Sequence, residues 1–318
     1  MLAMPERHNP RMEWSSIPAS VREAVDERLG SAIVRAVNIA GGFSPGPAAR
    51  CSLADGRSVF VKACGSGLNA FTPSMHRLEA SILTRMPADY PVPRLIDFVD
   101  DGEWVALLIE HVEGTMPRAP LSLHEVTAVL QVVELLARLG SPTPIAGLAA
   151  FGPSARENSD VYSWARLVDD GLVDCLDQWS SRHFGRMVDL ESNWLAAIDG
   201  NSLVHGDLRT DNIIIGASTT FVVDWPAASL GAPWVDLVGL LPALHLDGGP
   251  EPHEIFATQP LANTADGEAV NSYLAALAGY FTRQSLLPPP PGIAAVRGFQ
   301  RAQGKICRDW LARRLGLD

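Results

Sequence analysis

Leu203–Ile215 reads LVHGDLRTDNIII, and the order of its residues decides how the rest of the chain is read. An apolar start gives way to a polar turn holding Asp207 and, five residues on, Asn212, before the β-branched run Ile213–Ile215. A second short run, Phe221–Val223, follows another polar turn and delivers Asp224 to the tip of a strand, seventeen residues after Asp207. Magnesium takes hard oxygen ligands and draws only one or two of them from protein, leaving the rest to water and phosphate. Asn212 and Asp224 fit that description, and Asp207 then remains to accept a hydroxyl proton and aim the oxygen at phosphorus. Taken singly, each is also an ordinary turn former. The set, in this order and between apolar flanks, points to phosphoryl transfer.

Upstream of the motif, a short helix is predicted over Ala19–Leu29, and residues 33–110 read mostly as strands. Ile33–Ile39 alternates and ends at Gly41-Gly42, Ala48–Leu53 follows, and Asp55-Gly56 turns the chain as a hairpin into Ser58–Ala63. Residues 74–86 switch to helical period, with Leu78, Ile82 and Leu83 on one face and Pro87 as the stop. Two further strands, Arg94–Phe98 and Trp104–Glu110, are joined by the turn Asp100-Asp101-Gly102. From Gly114 onward the pattern is helical: 122–139, two or three segments across 161–198, then 234–245, 267–284 and 293–315, with Pro288–Pro291 separating the last two. The spacing of Asp170, Asp174 and Asp177 is that of one helix side. The expected architecture is α+β in two lobes: a β-rich lobe over 1–112 and a mainly helical lobe over 113–318.

Composition narrows the setting. With 47% apolar and 19% charged residues, the chain has the make-up of a soluble globular protein. Cys51, Cys64, Cys175 and Cys307 are scattered, without metal-ligand spacing, and read as small buried apolar residues in a reducing compartment. Met1–Trp14 lacks the apolar run of a secretory signal, and no stretch reaches the roughly 18–20 apolar residues of a membrane span. A cytoplasmic location follows as the expectation. Net charge is −11: residues 1–112 hold 13 acidic and 11 basic side chains, the remainder 23 and 14. An acidic second half repels nucleic-acid phosphates. It suits a cationic substrate, and it equally suits plain solubility. Arginine outnumbers lysine 23 to 2, so Lys62 and Lys305 invite the question of what a compact ammonium does there that a guanidinium would not.

HGDLRTDN followed by VVDW resembles the catalytic loop and metal-binding aspartate of the aminoglycoside phosphotransferase family, small-molecule kinases of the protein-kinase-like fold. Gly206 stands where protein kinases usually carry arginine. The resemblance implies ATP and Mg2+ as cofactors, Asp207 as catalytic base, and Asn212 and Asp224 as magnesium ligands. It also implies Lys62 as the strand lysine on the α/β-phosphates, with Glu79 as its ion-pair partner. Gly41–Gly46 resembles the nucleotide-covering loop, with Gly42 and Ser44 approaching phosphate, and does not match the GxxxxGK[ST] loop. Main-chain atoms of Glu110 and Val112 are implied for adenine. GAPWVDL resembles the family's GDPxxDL stretch, in which the second aspartate, here Asp236, braces the catalytic loop together with His205; Ala232 replaces the first. Arg209, where many members carry histidine, reads either as a cation for the transferring phosphoryl group or as a surface arginine.

Only six residues separate Asp224 from Gly231, too few for the activation segment that docks a peptide. The implied acceptor is therefore a small molecule bearing a hydroxyl, with a cationic antibiotic such as an aminoglycoside as the first expectation. Candidate contacts are Asp169, Asp170, Asp174, Asp177, Asp247, Glu251 and Glu254, which also read as a solvated acidic surface. Kinases of choline, homoserine or methylthioribose, and a nucleotide-binding regulator without catalysis, are the alternatives.

Overall fold

The computed structural model describes residues 11–39, 44–151, 163–289 and 296–317. By contact, these divide into two units: one takes in the described residues up to Met116 together with Asp211–Ala227, the other Pro117–Thr210 and the residues from Ala228 onward. The first unit thus runs four residues past the expected boundary at 112 and includes the hairpin that follows the catalytic loop.

In that first unit, α1 (Ala19–Leu29) precedes five strands, β1 (Ile33–Asn38), β2 (Ala48–Leu53), β3 (Ser58–Gly65), β4 (Leu95–Asp100) and β5 (Trp104–Glu110), with α2 (Thr72–Arg85) between β3 and β4. They form an antiparallel sheet in the order β1-β2-β3-β5-β4. The two-residue side-chain period of a strand sorts β3. Val59, Val61 and Ala63 point to one face and join Val21, Val25 and Leu29 of α1 in a buried apolar cluster. Lys62, between Val61 and Ala63, is turned to the opposite face, against α2. That helix buries His76, Glu79, Ala80, Ile82 and Leu83, whereas Leu78, expected on the same face, is exposed. The correction follows from geometry: the stripe facing the sheet runs through 76, 79, 80 and 83, and Leu78 lies off it.

In the second unit, α3 (Leu123–Leu139) opens with a capping box in which Ser122 and Glu125 satisfy each other's backbone N–H groups. There follow α4 (Ser163–Asp169), α5 (Gln178–Glu191), α6 (Trp194–Ala197), α7 (Val235–Leu246), α8 (Pro252–Thr258), α9 (Gly267–Leu286) and α10 (Val296–Leu315). Two three-residue strands, β6 (Ser202–Val204) and β9 (Ser229–Gly231), pair antiparallel ahead of α7. Between them in the chain, β7 (Ile213–Ile215) and β8 (Thr220–Val222) form the hairpin of the first unit. α7 is apolar almost all round, burying Val235, Leu237, Val238, Leu240, Leu241, Pro242, Ala243 and Leu244, as befits a helix at the centre of a packed unit.

The helix expected to carry Asp170, Asp174 and Asp177 on one side is not formed. α4 stops at Asp169, Gly171 takes a left-handed φ of 66°, and Asp177 is the N-cap of α5. Cys51, Cys64 and Cys307 are buried as expected, while Cys175 is exposed; all four are free thiols.

Candidate active site

In the sheet unit, Lys62 is the centre of a charge triad. Its Nζ lies 2.9 Å from Asp224 Oδ1 and makes a short ion pair with Glu79 Oε2. Side-chain exposure falls from 45% at Asp224 through 13% at Lys62 to 2% at Glu79, so one carboxylate faces outward and the other is sealed in. Burial opposes the Lys62 charge, but Asp224 and Glu79 outweigh it and raise its pKa. Burial pushes the Glu79 carboxyl up against the pull of Lys62. A single ammonium therefore compensates two carboxylates.

The β7–β8 hairpin brings Asn212 and Asp224 to one end. Ile213 pairs with Val222, and the Val223 N–H donates to the Asn212 carbonyl at 2.9 Å. Asp224 is the only non-glycine residue with positive φ (70°) among the described residues. A left-handed aspartate costs of order 1 kcal/mol; it is held on one side by Lys62 and on the other by Trp225, whose N–H lies 3.4 Å from Glu79 Oε1. Asn212 is buried, at the same end of the hairpin as Asp224. Among the described residues no group of three or more His, Cys, Asp or Glu forms a metal cage.

His76, one turn before Glu79, sits under the same triad with Nδ1 3.4 Å from the Val105 carbonyl. Burial, then the charge of Lys62, lowers its pKa from 6.5 to about 3. In the unfolded chain the ring takes a proton near 6.5 and in the folded protein only near 3. Between those values the unfolded state binds more protons, so the stabilisation is complete above 6.5 and is lost as pH falls toward 3. Melting temperatures measured from pH 7 down to pH 4 should fall steeply in the wild type, and His76→Gln should flatten that slope.

The chain returning from Ser44 to β2 lies directly on β3. A Cβ on Gly46 would stand 1.9 Å from the Ala63 carbonyl oxygen, so only glycine fits next to the strand that carries Lys62. Arg11 ties this return, its Nη1 donating to the carbonyls of Ser44 and Gly46, both at 3.3 Å. Gly42 lies outside the described residues. At the end of β5, the Glu110 N–H donates to the Arg94 carbonyl (2.8 Å) and its carboxylate pairs with Arg94 Nε (3.2 Å); Val112 follows, half-buried, two residues on.

The helical unit holds the other half of the motif. Gly206 has φ 78°, a conformation that explains the glycine. Asp236, on the first turn of α7, accepts the N–H groups of His205 (2.7 Å) and Gly206 (3.0 Å). Burial raises its pKa, and these two N–H donors oppose the rise. The Asp207 N–H donates to His205 Nδ1 at 3.3 Å, which requires that nitrogen to be unprotonated. Asp207 is about one-third exposed, and both its carboxylate oxygens lie 3.4 Å from Arg209 Nη1. Arg209 is thus paired with Asp207, and the reading of it as a loose surface arginine is set aside. Ala232, in the place of the family's first aspartate, donates its N–H to the Ile198 carbonyl at 2.7 Å. Two residues that the motif reading placed elsewhere or passed over also meet here: Thr210 donates to Asp247 in a short buried hydrogen bond.

Several of the acidic residues proposed for a cationic substrate are engaged internally. Asp170 pairs with Arg283 (2.6 Å), Asp177 with Arg308, and Asp247 with Thr210. Asp169, Asp174, Glu251 and Glu254 are exposed, as are the paired Asp170 and Asp177, so of the seven only Asp247 is buried.

Comparison with known proteins gives the family and the fold. A family model described as the phosphotransferase enzyme family matches residues 47–272. The chain belongs to that family, whose members are small-molecule kinases phosphorylating hydroxyl groups. No curated protein sequence matches significantly. Among solved structures, a thermostable mutant of aminoglycoside phosphotransferase APH(4)-Ia, in ternary complex with ADP and hygromycin B, is 17% identical with a TM-score of 0.59, covering 93% of this chain and 99% of that one. An aminoglycoside-3'-phosphotransferase of type VIII is 22% identical with a TM-score of 0.55, covering 82% and 98%. A choline/ethanolamine kinase family protein from Mesorhizobium loti is 14% identical with a TM-score of 0.50, covering 82% and 88%. At these identities the likeness is one of fold, and the fold is the protein-kinase-like one expected from the motif. No described helix is long and apolar enough to cross a membrane.

Proposed function

We propose that the protein is a cytoplasmic kinase that moves the γ-phosphoryl group of ATP to a hydroxyl of a small cationic molecule of the aminoglycoside type. The observation that carries this is Lys62 held between buried Glu79 and outward-facing Asp224, the ion-pair arrangement a nucleotide-phosphate site requires. The Asn212 carboxamide and Asp224 carboxylate are hard oxygen donors at one end of a hairpin, a set that fits magnesium, which keeps its remaining ligands from water and phosphate. Bound Mg–ATP supplies the electrophilic phosphorus and a leaving group in ADP. Lys62 neutralises phosphate oxygens, main-chain atoms of Glu110 and Val112 take the adenine, and Ser44 lies on the phosphate-covering loop. Asp207 accepts the proton of the acceptor hydroxyl as its oxygen bonds to the γ-phosphorus, and Arg209 offsets the charge on the transferring group. His205 and Asp236 hold the loop that presents Asp207.

A second reading, a kinase of a small metabolite of the choline or homoserine type, is favoured by the internal pairing of Asp170, Asp177 and Asp247, which leaves fewer carboxylates for a polycation. A thermal-shift screen with Mg–ATP against panels of amino sugars, amino alcohols and antibiotics, followed by phosphate-transfer assays on the hits, tests both. A melting-temperature rise with Mg–ATP and transfer to one hydroxyl-bearing amine is the expected result. Nucleotide binding without transfer or hydrolysis for any acceptor would replace the kinase with a nucleotide-binding regulator.

A further inference from the structure

We infer that α7 is a splint for the catalytic loop, and that Thr210 and Asp247, which no motif assigns, are positioning residues forming its second anchor. Asp236, near the start of α7, holds the backbone N–H groups of His205 and Gly206. Asp247, the residue that caps the other end of the same helix, takes the hydroxyl of Thr210. The eleven steps from residue 236 to residue 247 span roughly 16 Å along a helix axis. Asp207 and Arg209 belong to the segment strung between these two attachments, so both ends of their loop are referred to one element.

The placement of Asp247 is not what stability alone would select. It is 4% exposed, its partner Thr210 2%, and it brings a carboxylate to the C-terminal, negative end of α7, where a cation or a neutral cap would be more favourable. Three of the terminal carbonyls are served without it: the N–H groups of Asp247, Gly248 and Gly249 bond to the carbonyls of Ala243, His245 and Leu244. The Asp247 carbonyl accepts from Leu121 at 2.9 Å, which fixes the backbone that carries the carboxylate. An acidic group kept at an unfavourable pole, buried, and directed at a residue three positions from Asp207 is the signature of a side chain retained for geometry.

This inference rests on the kinase reading for its effect on rate, but not for its effect on the loop. Thr210→Val keeps the side-chain volume and removes the hydroxyl; kcat should fall about 10- to 100-fold while KM for ATP and nucleotide Kd stay near wild type, and the melting temperature drops by the cost of leaving the buried Asp247 carboxylate without that donor. Thr210→Ser should restore the rate. Asp247→Ala should cost a similar factor, and the double variant no more than either single one, because both remove the same bond. Hydrogen exchange over residues 203–212, without nucleotide, should quicken in Thr210→Val and Asp247→Ala. Additive losses, a serine variant as slow as valine, or unchanged exchange would each overturn the splint. If the wild-type chain transfers no phosphate to any acceptor, the kinase reading fails and the exchange measurement still decides this one.

Discussion

Asp207→Ala is expected to lower kcat by about 10³-fold while leaving the nucleotide dissociation constant within a factor of about two. The asymmetry follows from where the residue sits. Within the helical unit its carboxylate meets Arg209, and its backbone N–H meets His205. The Lys62–Glu79–Asp224 triad is built without it. A base that takes the acceptor proton contributes in the transition state, so its removal should appear in kcat and spare binding of ATP. Steady-state kinetics on the acceptor found by screening, paired with titration of a fluorescent nucleotide, separates the two effects. Turnover within tenfold of wild type would mean that another group accepts the proton. Loss of nucleotide binding in parallel would mean that Asp207 holds the nucleotide site together.

Lys62→Met should cost about 3–5 kcal/mol of stability, the penalty for removing one partner of a buried ion pair. Glu79 is 1% exposed and would be left without its cation, so it must either stay charged at high cost or take up a proton. Its pKa is already raised by burial, and without Lys62 it rises further, so protonation relieves part of the loss. The stability deficit of the variant should accordingly shrink as pH falls from 8 to 5. Removing both charges, in Lys62→Met with Glu79→Leu, should recover most of the stability and none of the nucleotide affinity. Urea unfolding at several pH values, read beside nucleotide titrations, tells a structural pair from a functional one. A single variant that unfolds like the wild type would show that the pair contributes nothing to the fold.

Much of this arrangement is legible in local sequence. Strand boundaries such as Ala48–Leu53 and Trp104–Glu110, and helices such as Ala19–Leu29, are set by period, turn residues and proline, all of which act over a few residues. What escapes is non-local or too short. β6 and β9 are three residues each, below the length at which alternation can be seen, and they pair across twenty-five or more positions. The acidic trio at 170–177 mimics one helix side, but Asp-Asp-Gly at 169–171 is a helix stop, and Gly171 in the left-handed region ends α4. Leu78 is an apolar residue one step off the buried stripe, and the stripe is filled instead by His76 and Glu79, polar residues that hydrophobic periodicity cannot count. At the candidate site, the order of the motif pointed to Asp207, Asn212 and Asp224, and the family resemblance implied Lys62, Glu79 and Asp236. The positive φ of Asp224 and the Thr210–Asp247 bond had no such signal, since one is a backbone strain and the other joins residues thirty-seven positions apart.

The scarcity of lysine gives the molecule an unusual surface chemistry. Its side-chain amines number two, and they differ in kind. Lys305 sits on α10 with more than half of its side chain in solvent, bonded to Asp309 one turn away. Lys62 is enclosed by two carboxylates that keep it protonated, and a protonated amine is no nucleophile toward acylating reagents. An amine-directed reagent therefore meets, among the side chains, one reactive handle on the outside and one masked at the triad. Loss of that mask reports directly on the carboxylates that hold it.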